Sequence, residues 1–233
     1  MISLQTYLNE NIIAENFDKS NLQAIKNWTK TIKKSSGRIK VDPNGCVTLP
    51  NTQEVELVGP FPENISFNEF ECGEVKLKYV TQSEIEMITD VAQGVYALHI
   101  VIDDNIDFSE LNLKLTGFSV WTPNQSTISG LKNIEILGSK GAKWLRLNNV
   151  QCEGSFKRGE NVYIEFNNVT AKSDLLKNFT SVKGINIENS SPIDLHKIDV
   201  DTNCNLRDLD EKFAIGYYPH STINLWIESS VPF

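Results

Sequence analysis

The chain has 233 residues, of which 40% are hydrophobic and 22% charged, so it can bury a sizeable core and has an ordinary globular composition. No apolar run approaches the roughly 20 residues with which a helix crosses a bilayer, and we expect no membrane span. Residues 1–41 hold seven Lys or Arg against three Asp or Glu (net +4), whereas residues 42–233 hold 15 against 27 (net −12). This acidic body excludes broad nucleic-acid binding and leaves a protein as the expected partner.

The first 41 residues carry helical signals. Apolar residues recur at helical spacing between positions 2 and 13, and again on a second helix expected from about Ser20 to Lys34. Ser35, Ser36 and Gly37 follow it, and glycine readily takes the left-handed conformation that ends helices. We therefore predict a short helical cap, residues 1–41, on one end of a β core.

The sequence also indicates a compartment. Its first 16 residues contain no Lys or Arg, and Asn9 and Glu10 interrupt the apolar stretch, which is untypical of a secretory signal. The four cysteines are widely scattered and show no spacing typical of a zinc site. We expect a cytoplasmic protein with reduced, mostly buried thiols and with neither a metal nor another cofactor.

From residue 42 onward the sequence changes to short apolar alternations separated by Gly, Pro, Asn and Asp, which is typical of strands and turns. Asp42-Pro43-Asn44-Gly45 predicts a turn that joins a hairpin of residues 38–41 and 46–49. We expect further strands as far as residues 223–227, a helical excursion at 83–91 and an irregular or helical insertion around 203–213. No low-complexity linker interrupts residues 42–233, which are predicted to form one β-solenoid body.

The basis for that architecture is a repeat. Six stretches share an anchor, two spacers, an apolar residue, one spacer and a second apolar residue, often followed two positions later by Asn or Gly. They begin at Thr52, Cys72, Leu131, Ala142, Asn161 and Val182. The second apolar residue falls at 57 and 77, a spacing of 20, and then at 136, 147, 166 and 187, with spacings of 11, 19 and 21. A recurrence near twenty residues is typical of a coiled solenoid of short strands.

We interpret the chain as a mainly β, irregular single-domain parallel β-solenoid with a short N-terminal helical cap. Sandwich strands are joined by hairpins and alternate over many positions, whereas each strand here supplies only two or three inward residues before the chain turns. Stacked coils place Leu147, Phe166 and Ile187 in one column. Between residues 52 and 190 the pattern resembles leucine-rich repeats and also the rungs of parallel β-helices.

Asparagines end several of the stretches, at Asn148-Asn149, Asn167-Asn168 and Asn189. Their side chains can hydrogen-bond backbone groups at the same corner of successive coils. We therefore predict an asparagine ladder that turns the chain and does not bind a ligand.

Catalytic motifs are missing from the sequence: it has no nucleophile elbow, phosphate-binding loop, dinucleotide fingerprint or zinc-protease motif. Many β-helix proteins act on polysaccharides, and glycoside cleavage requires two carboxylates. Asp199 and Asp201 lie two positions apart and would share one face of a strand, so they are the candidate pair if the protein is an enzyme. Otherwise we expect these aspartates to form turns and the protein to be no enzyme.

Aromatic residues near turns and near the chain end are the candidate binding residues. They are Trp121, Tyr217, Tyr218 and Trp226. On a rigid scaffold such side chains bury a large area and lose few rotamers, which suits them to anchor a contact. The alternative for each is a place in the core or in a cap.

The first ten residues, MISLQTYLNE, resemble the leading peptides of proteins packaged into the heads of tailed bacteriophages. Such peptides are amphipathic and end at Leu or Ile, any residue, and Glu, where the phage's prohead protease cuts. Triplets of this form occur at residues 8–10 and 13–15, although each is followed by Asn and not by a small residue. The resemblance implies a virion protein that is cut after Glu10 or Glu15. The alternative is a helix packed on the end of the solenoid.

These features predict a non-enzymatic solenoid that binds another protein or takes a structural place in a larger particle, such as a phage virion. The location would be the host cytoplasm or the virion. The alternative is a polysaccharide-binding or polysaccharide-cleaving β-helix protein. An enzyme of that kind brings two carboxylates into one groove, about 5–10 Å apart. A binding module instead presents an exposed apolar or aromatic patch.

Overall fold

The computed structural model describes residues 19–138, 143–191, 193–195, 198–200 and 204–206. Its helices are α1 (19–28) and α2 (Gln82–Val91), and short 3-10 turns cover Thr29–Thr31 and Leu131–Asn133. The first nine strands are β1 (Lys33–Lys34), β2 (Lys40–Val41), β3 (Cys46–Thr48), β4 (Thr52–Val58), β5 (Ser66–Phe67), β6 (Phe70–Lys78), β7 (Ala92–Gln93), β8 (Ala97–Val101) and β9 (Ile106–Asp107). The next nine are β10 (Leu113–Leu115), β11 (Gly117–Ser129), β12 (Ile134–Leu137), β13 (Lys143–Cys152), β14 (Arg158–Glu160), β15 (Val162–Asn167), β16 (Ser181–Glu188), β17 (Asp199–Val200) and β18 (Cys204–Leu206).

Successive coils stack their strands in parallel, so the chain forms a β-solenoid, as the repeat predicts. The principal sheet has the order β1-β4-β6-β8-β11-β13-β15-β16-β17, and every neighbouring pair from β4 onward is parallel. Segments between these strands form two further sheets, β2-β3-β5 and β10-β12-β14. The predicted mainly β solenoid architecture is confirmed.

Two columns of buried side chains run through the seven rungs from β4 to β16. The first column is Val55, Val75, Leu98, Phe118, Leu145, Ile164 and Ile185. The second is Leu57, Leu77, Ile100, Val120, Leu147, Phe166 and Ile187. The predicted stacking of the last three residues of this column is confirmed. Because parallel stacking in register puts like positions on top of each other, two apolar residues per rung produce a continuous core.

The spacing of 11 that interrupts the repeat has a structural explanation. Ile134 and Ile136 lie in β12, which pairs with β10 and β14 and not with the principal sheet. The next apolar pair, Leu145 and Leu147, returns to the principal sheet in β13. The short spacing is therefore a change of face within one coil. Strands β8 and β11 are two further principal rungs outside the six stretches of the repeat, and the pairing of β11 with β13 shifts register between Trp121 and Ser126.

The N-terminal elements pack against the first coils. Ile25 of α1 is fully buried, and the Trp28 indole Nε1 donates a hydrogen bond of 2.8 Å to the Val58 carbonyl. The prediction of a helix as far as Lys34 is wrong, because the chain passes from the 3-10 turn into β1, which pairs antiparallel with β4. Sheet pairing and the burial of Ile32 outweigh helix periodicity there.

Two local predictions in this region are confirmed. Strands β2 and β3 form the predicted hairpin, and the Asp42 carboxylate accepts hydrogen bonds of 2.9 Å from the backbone N–H groups of Asn44 and Cys46. The helical excursion is α2. It begins with a capping box in which Thr81 and Glu84 satisfy each other's backbone N–H groups.

The predicted asparagine corners are present at Asn149, Asn168 and Asn189. All three have left-handed backbone, with φ between 48° and 56°, which Asn tolerates better than most residues. The Asn168 amide Nδ2 donates to Asn149 Oδ1 at 2.6 Å, and Asn149 Nδ2 donates to the Thr122 carbonyl at 2.9 Å. These asparagines turn the chain at the same corner of successive coils.

Candidate functional site

The residues that alternate with the two inward columns face the outside of the principal sheet. They form three rows, one between the columns and one on either side of them. The near row is Glu54, Glu74, Ala97, Gly117, Trp144, Tyr163 and Gly184. The middle row is Glu56, Lys76, His99, Ser119, Arg146, Glu165 and Asn186. The far row is Val58, Lys78, Val101, Trp121, Asn148, Asn167 and Glu188. Each row offers one side chain about every 4.8 Å along the solenoid axis.

The N-terminal half of this outer face is occupied by its own ion pairs. Lys76 Nζ lies 2.9 Å from Glu54 Oε1. The Glu56 carboxylate lies 2.8 Å from both Lys33 Nζ and Lys78 Nζ. Hydrogen bonds from Lys33 and then Lys78 lower the pKa of Glu56 below its ordinary value. The charges of this half are therefore matched within the chain.

At the centre of the face an aromatic ring bridges rungs. Gly117 has no side chain, and the Trp144 indole fills the space above it, within 3.5 Å of where a β-carbon would stand. The ring reaches the imidazole of His99, with centroids 5.5 Å apart. On its other side the Arg146 guanidinium lies 4.9 Å from the Trp144 ring centroid, and Arg146 Nε donates to Glu165 Oε2 at 2.7 Å. We call Trp144, Arg146 and Glu165 the internal clamp.

His99 is half-buried within this arrangement, and its pKa lies below the ordinary value of 6.5. Desolvation is the main cause, and the positive charges of Lys76 and Arg146 act in the same direction. The Glu74 carboxylate, 3.2 Å from His99 Nε2, favours the protonated ring, but burial outweighs it. His99 is therefore a neutral side chain of the strand surface near pH 7.

The C-terminal half of the face contains an open groove of about 230 Å³. We call it the outer groove. Its outward-facing side chains are Ser119, Trp121, Arg146, Asn148, Glu165, Asn167, Asn186 and Glu188. Trp121 remains 41% exposed, and Tyr163, beside the groove in the near row, is 42% exposed. The groove thus combines exposed aromatic rings with polar side chains.

Most polar side chains of the outer groove have no partner among the residues that the structure describes. Ser119, Asn148, Asn167, Asn186 and Glu188 form neither a side-chain hydrogen bond nor an ion pair with the residues that the structure describes. The Oδ1 atom of Asn186 is even inaccessible to solvent and still lacks a donor. The side chains of Ser119, Asn148, Asn167 and Glu188 can therefore contact a ligand, in contrast to the matched charges at the other end of the face.

The two members of each Asn-Asn pair have different roles. Asn149 and Asn168 form the corner ladder, whereas Asn148 and Asn167 occupy the far row and line the outer groove. The prediction that all these asparagines are turn devices is therefore wrong for the first member of each pair. The reason is the alternation of a strand, which directs neighbouring side chains to opposite faces.

Of the four predicted aromatic binding residues, Trp121 lies in the outer groove, and the predicted sites at Tyr217, Tyr218 and Trp226 lie outside the described residues. The candidate carboxylate Asp199 begins β17 and pairs with Ser181, but only its backbone is described. Its predicted companion Asp201 is outside the described residues. The dyad of Asp199 and Asp201 stays a prediction.

Four charged or polar residues that line the outer groove were not predicted from the sequence. They are Arg146, Glu165, Asn186 and Glu188. A usable signal was present, since each alternates with an inward residue of the repeat. The residue between the two apolar positions of a rung must face outward. The sequence does not reveal the register of the strands, and it is the register that brings these separate positions side by side.

Three aspartates after β8 and the buried Cys152 are the other side chains considered for chemistry, and their surroundings do not favour it. Asp103 and Asp104 are exposed in a bend after β8, and Asp107 accepts hydrogen bonds from the Ser109 and Ser129 hydroxyls at 2.7 and 3.0 Å. The hydrogen bonds from Ser109, foremost, lower the pKa of Asp107. Burial raises the pKa of the Cys152 thiol to about 12, so this cysteine is no nucleophile near neutral pH.

The chain was compared with protein-family models, with curated proteins and with solved structures, and none of the three comparisons found a match. Within the described residues, none of the helices combines the length and the apolar character needed to cross a membrane.

Proposed function

We propose that the protein is a non-enzymatic binding module and that it holds another protein on the outer face of its principal sheet. One observation carries the proposal: the exposed rings of Trp121 and Tyr163 flank the stacked pair of Trp144 and Arg146 on a single rigid face. Trp, Tyr and Arg are the residues that most often dominate the binding free energy of protein interfaces.

The scaffold suits a structural place in a larger particle. The solenoid is extended along its axis by repetition, and its parallel rungs share one continuous core. A rigid surface of this kind loses little conformational entropy when it binds.

The resemblance of residues 1–10 to capsid-targeting peptides supports a phage virion as the particle, with the host cytoplasm as the place of synthesis. The rung pattern supports relating the solenoid to leucine-rich repeats or to parallel β-helices.

The test is capture of the partner from the protein's own host. The tagged wild type is compared with the double variant Trp121→Ala/Tyr163→Ala and with the control Tyr79→Ala/Tyr96→Ala, which also removes two exposed rings but outside the outer groove. We expect one partner to be retained by the wild type and by the control and lost by the groove variant. Retention by all three proteins contradicts the proposed surface.

The virion hypothesis has a separate test. Mass spectrometry of the protein from its native particle should show a chain that begins at Asn11 or Asn16. A native chain that begins at Met1 contradicts processing by a prohead protease.

A second candidate is polysaccharide binding, which one observation favours. The carboxamides of Asn148, Asn167 and Asn186 line the outer groove and have no hydrogen-bond partner in the described part of the chain, and carboxamides can both donate to and accept from hydroxyl groups. Glu165 and Glu188 line the same groove on adjacent rungs, which supplies the two carboxylates of the enzymatic alternative. Release of reducing ends from polysaccharides by the wild type, and its loss in Glu188→Gln, would support this alternative.

A further inference from the structure

The internal clamp shows how this face holds a cation. The Arg146 guanidinium is stacked on Trp144 at 4.9 Å and paired with Glu165 at 2.7 Å. Stacking on an aromatic face and pairing with a carboxylate are two independent attractions for a guanidinium. The clamp occupies the near and middle rows of β13 and the middle row of β15.

The far row from β11 to β16 also contains an aromatic ring and a carboxylate, and none of its described residues in that part is basic. Trp121 begins this part of the row on β11, and Glu188 ends it on β16. Among the residues that the structure describes, no basic side chain stacks on Trp121 or pairs with Glu188. The exposed ring of Trp121 and the partly exposed carboxylate of Glu188 therefore lie in one row, each without a cationic partner among the described residues.

The charge of the outer groove favours a ligand that is positively charged. Among the described residues that line it, the one basic side chain, Arg146, is neutralised by Glu165, so that Glu188 gives these lining residues a net charge of −1. The unpartnered acceptor Asn186 Oδ1 lies beside it on the same strand. Residues 42–233 as a whole carry a net charge of −12. An anionic segment would be repelled here, whereas a cationic one gains a carboxylate and an aromatic face.

The distance between Trp121 and Glu188 favours an extended ligand. Trp121 and Glu188 are three rungs apart in one row, a separation of about 14 Å. One side chain cannot contact both. An extended peptide advances about 3.3 Å per residue, so four residues cover about 13 Å, and residues i, i+2 and i+4 project from the same side. The side chain at i+2 then faces Asn148 and Asn167.

We infer that the outer groove receives an extended, cationic segment of the protein partner, with two basic residues four positions apart, one stacked on Trp121 and the other paired with Glu188. The inference rests on the proposed function of protein binding and adds the chemistry of the bound segment. It requires that the segment run along the solenoid axis, across the rungs.

The experiment titrates the full-length, isotope-labelled chain with short blocked peptides and follows the indole and carboxamide N–H signals by NMR. The probe is Arg-Thr-Ser-Thr-Arg, and its isomer Arg-Thr-Ser-Arg-Thr has the same charge with the wrong spacing. We expect the probe to shift the signals of Trp121, Asn148 and Asn167, and to bind roughly threefold more tightly than the isomer, which is the effect of one exposed cation contact. Glu-Thr-Ser-Thr-Glu should cause no shifts.

Matched variants locate the site. Trp121→Ala and Glu188→Gln should each weaken binding of the probe roughly threefold. The controls Tyr96→Ala and Glu153→Gln, which change an exposed ring and an exposed carboxylate outside the outer groove, should leave it unchanged. Equal affinity for the two arginine isomers, or binding that Trp121→Ala and Glu188→Gln leave intact, overturns the inference.

Two further outcomes separate this inference from the proposed function. If the peptides fail but capture of the host partner still depends on Trp121 and Tyr163, the cationic segment is wrong and protein binding stands. If a neutral glucose tetrasaccharide shifts the same signals and the arginine probe does not, the ligand is a polysaccharide, and both the inference and the protein partner are overturned.

Discussion

The indole of Trp144 lies over Gly117, one rung away, and thereby reaches His99 on the rung beyond. A β-carbon on Gly117 would stand 3.5 Å from Trp144 Cε2 and 3.4 Å from the Ala97 methyl group, which are ordinary contact distances. A longer side chain would take the place of the ring. The stacking of Trp144 over this position therefore requires a very small side chain at residue 117.

Gly117→Leu should displace Trp144 and lower the free energy of unfolding by about 1–3 kcal/mol, because the extra atoms have no space beneath the ring. Gly117→Ala is the matched control and should leave stability unchanged or slightly raised, since alanine fits and restricts the unfolded chain. Urea unfolding measures the stability, and near-ultraviolet circular dichroism reports the ring. Equal effects of the two variants would show that the ring does not depend on this space.

Leu147→Ala should lower the free energy of unfolding by about 2–5 kcal/mol, because it opens a cavity in a fully packed inward column. Its neighbour Asn148 points outward on the same strand, and its side chain forms no hydrogen bond with the described residues. Asn148→Ala should therefore change stability by less than about 0.5 kcal/mol. Thermal and urea unfolding of both variants test the assignment of inward and outward positions, and a reversed order would contradict the register.

Asn168→Ala should lower the free energy of unfolding by about 1–2 kcal/mol, because alanine resists the left-handed backbone and loses the hydrogen bond to Asn149. Asn168→Gly keeps the backbone conformation and loses only the side-chain bond. It should cost less than the alanine variant, in a comparison by urea unfolding. If glycine costs as much as alanine or more, the left-handed backbone is not what makes asparagine necessary at this corner.

His99 should make stability depend on pH. Its pKa in the folded chain is lowered, mainly by desolvation, so the unfolded chain binds the proton first on acidification. Stability should therefore fall as the pH drops through the ordinary value of 6.5 toward the lower folded pKa. Glu74 and Glu54 oppose this effect, and Lys76 and Arg146 reinforce it.

The measurement is urea unfolding at pH 7.5 and pH 5.5, for the wild type and for His99→Gln. The variant should lose less stability between these two values. Glu56, whose pKa in the folded chain is lowered by hydrogen bonds from Lys33 and then Lys78, is present in both proteins and does not account for a difference between them. An identical loss in the two proteins would show that His99 is not the group responsible.

The sequence by itself determined the architecture to a large extent. Two apolar residues per rung, as in Val55 and Leu57 or Ile164 and Phe166, must share a face on a strand, and their recurrence near twenty residues requires stacked coils. Asparagine at the end of a rung predicted the corners, because few other residues tolerate positive φ. These features are local, and local physical rules are sufficient to predict them.

Only the tertiary structure decided what lies on the outer face. The ring of Trp144 and the vacant space of Gly117 are 27 residues apart in sequence, and Trp121 and Glu188 are 67 apart. Their proximity depends on the number of residues in each coil, which varies because segments such as α2 and β12 are inserted between principal strands. Periodicity predicts which way a side chain points, whereas its neighbours are set by register, and register results from the packing of the whole core.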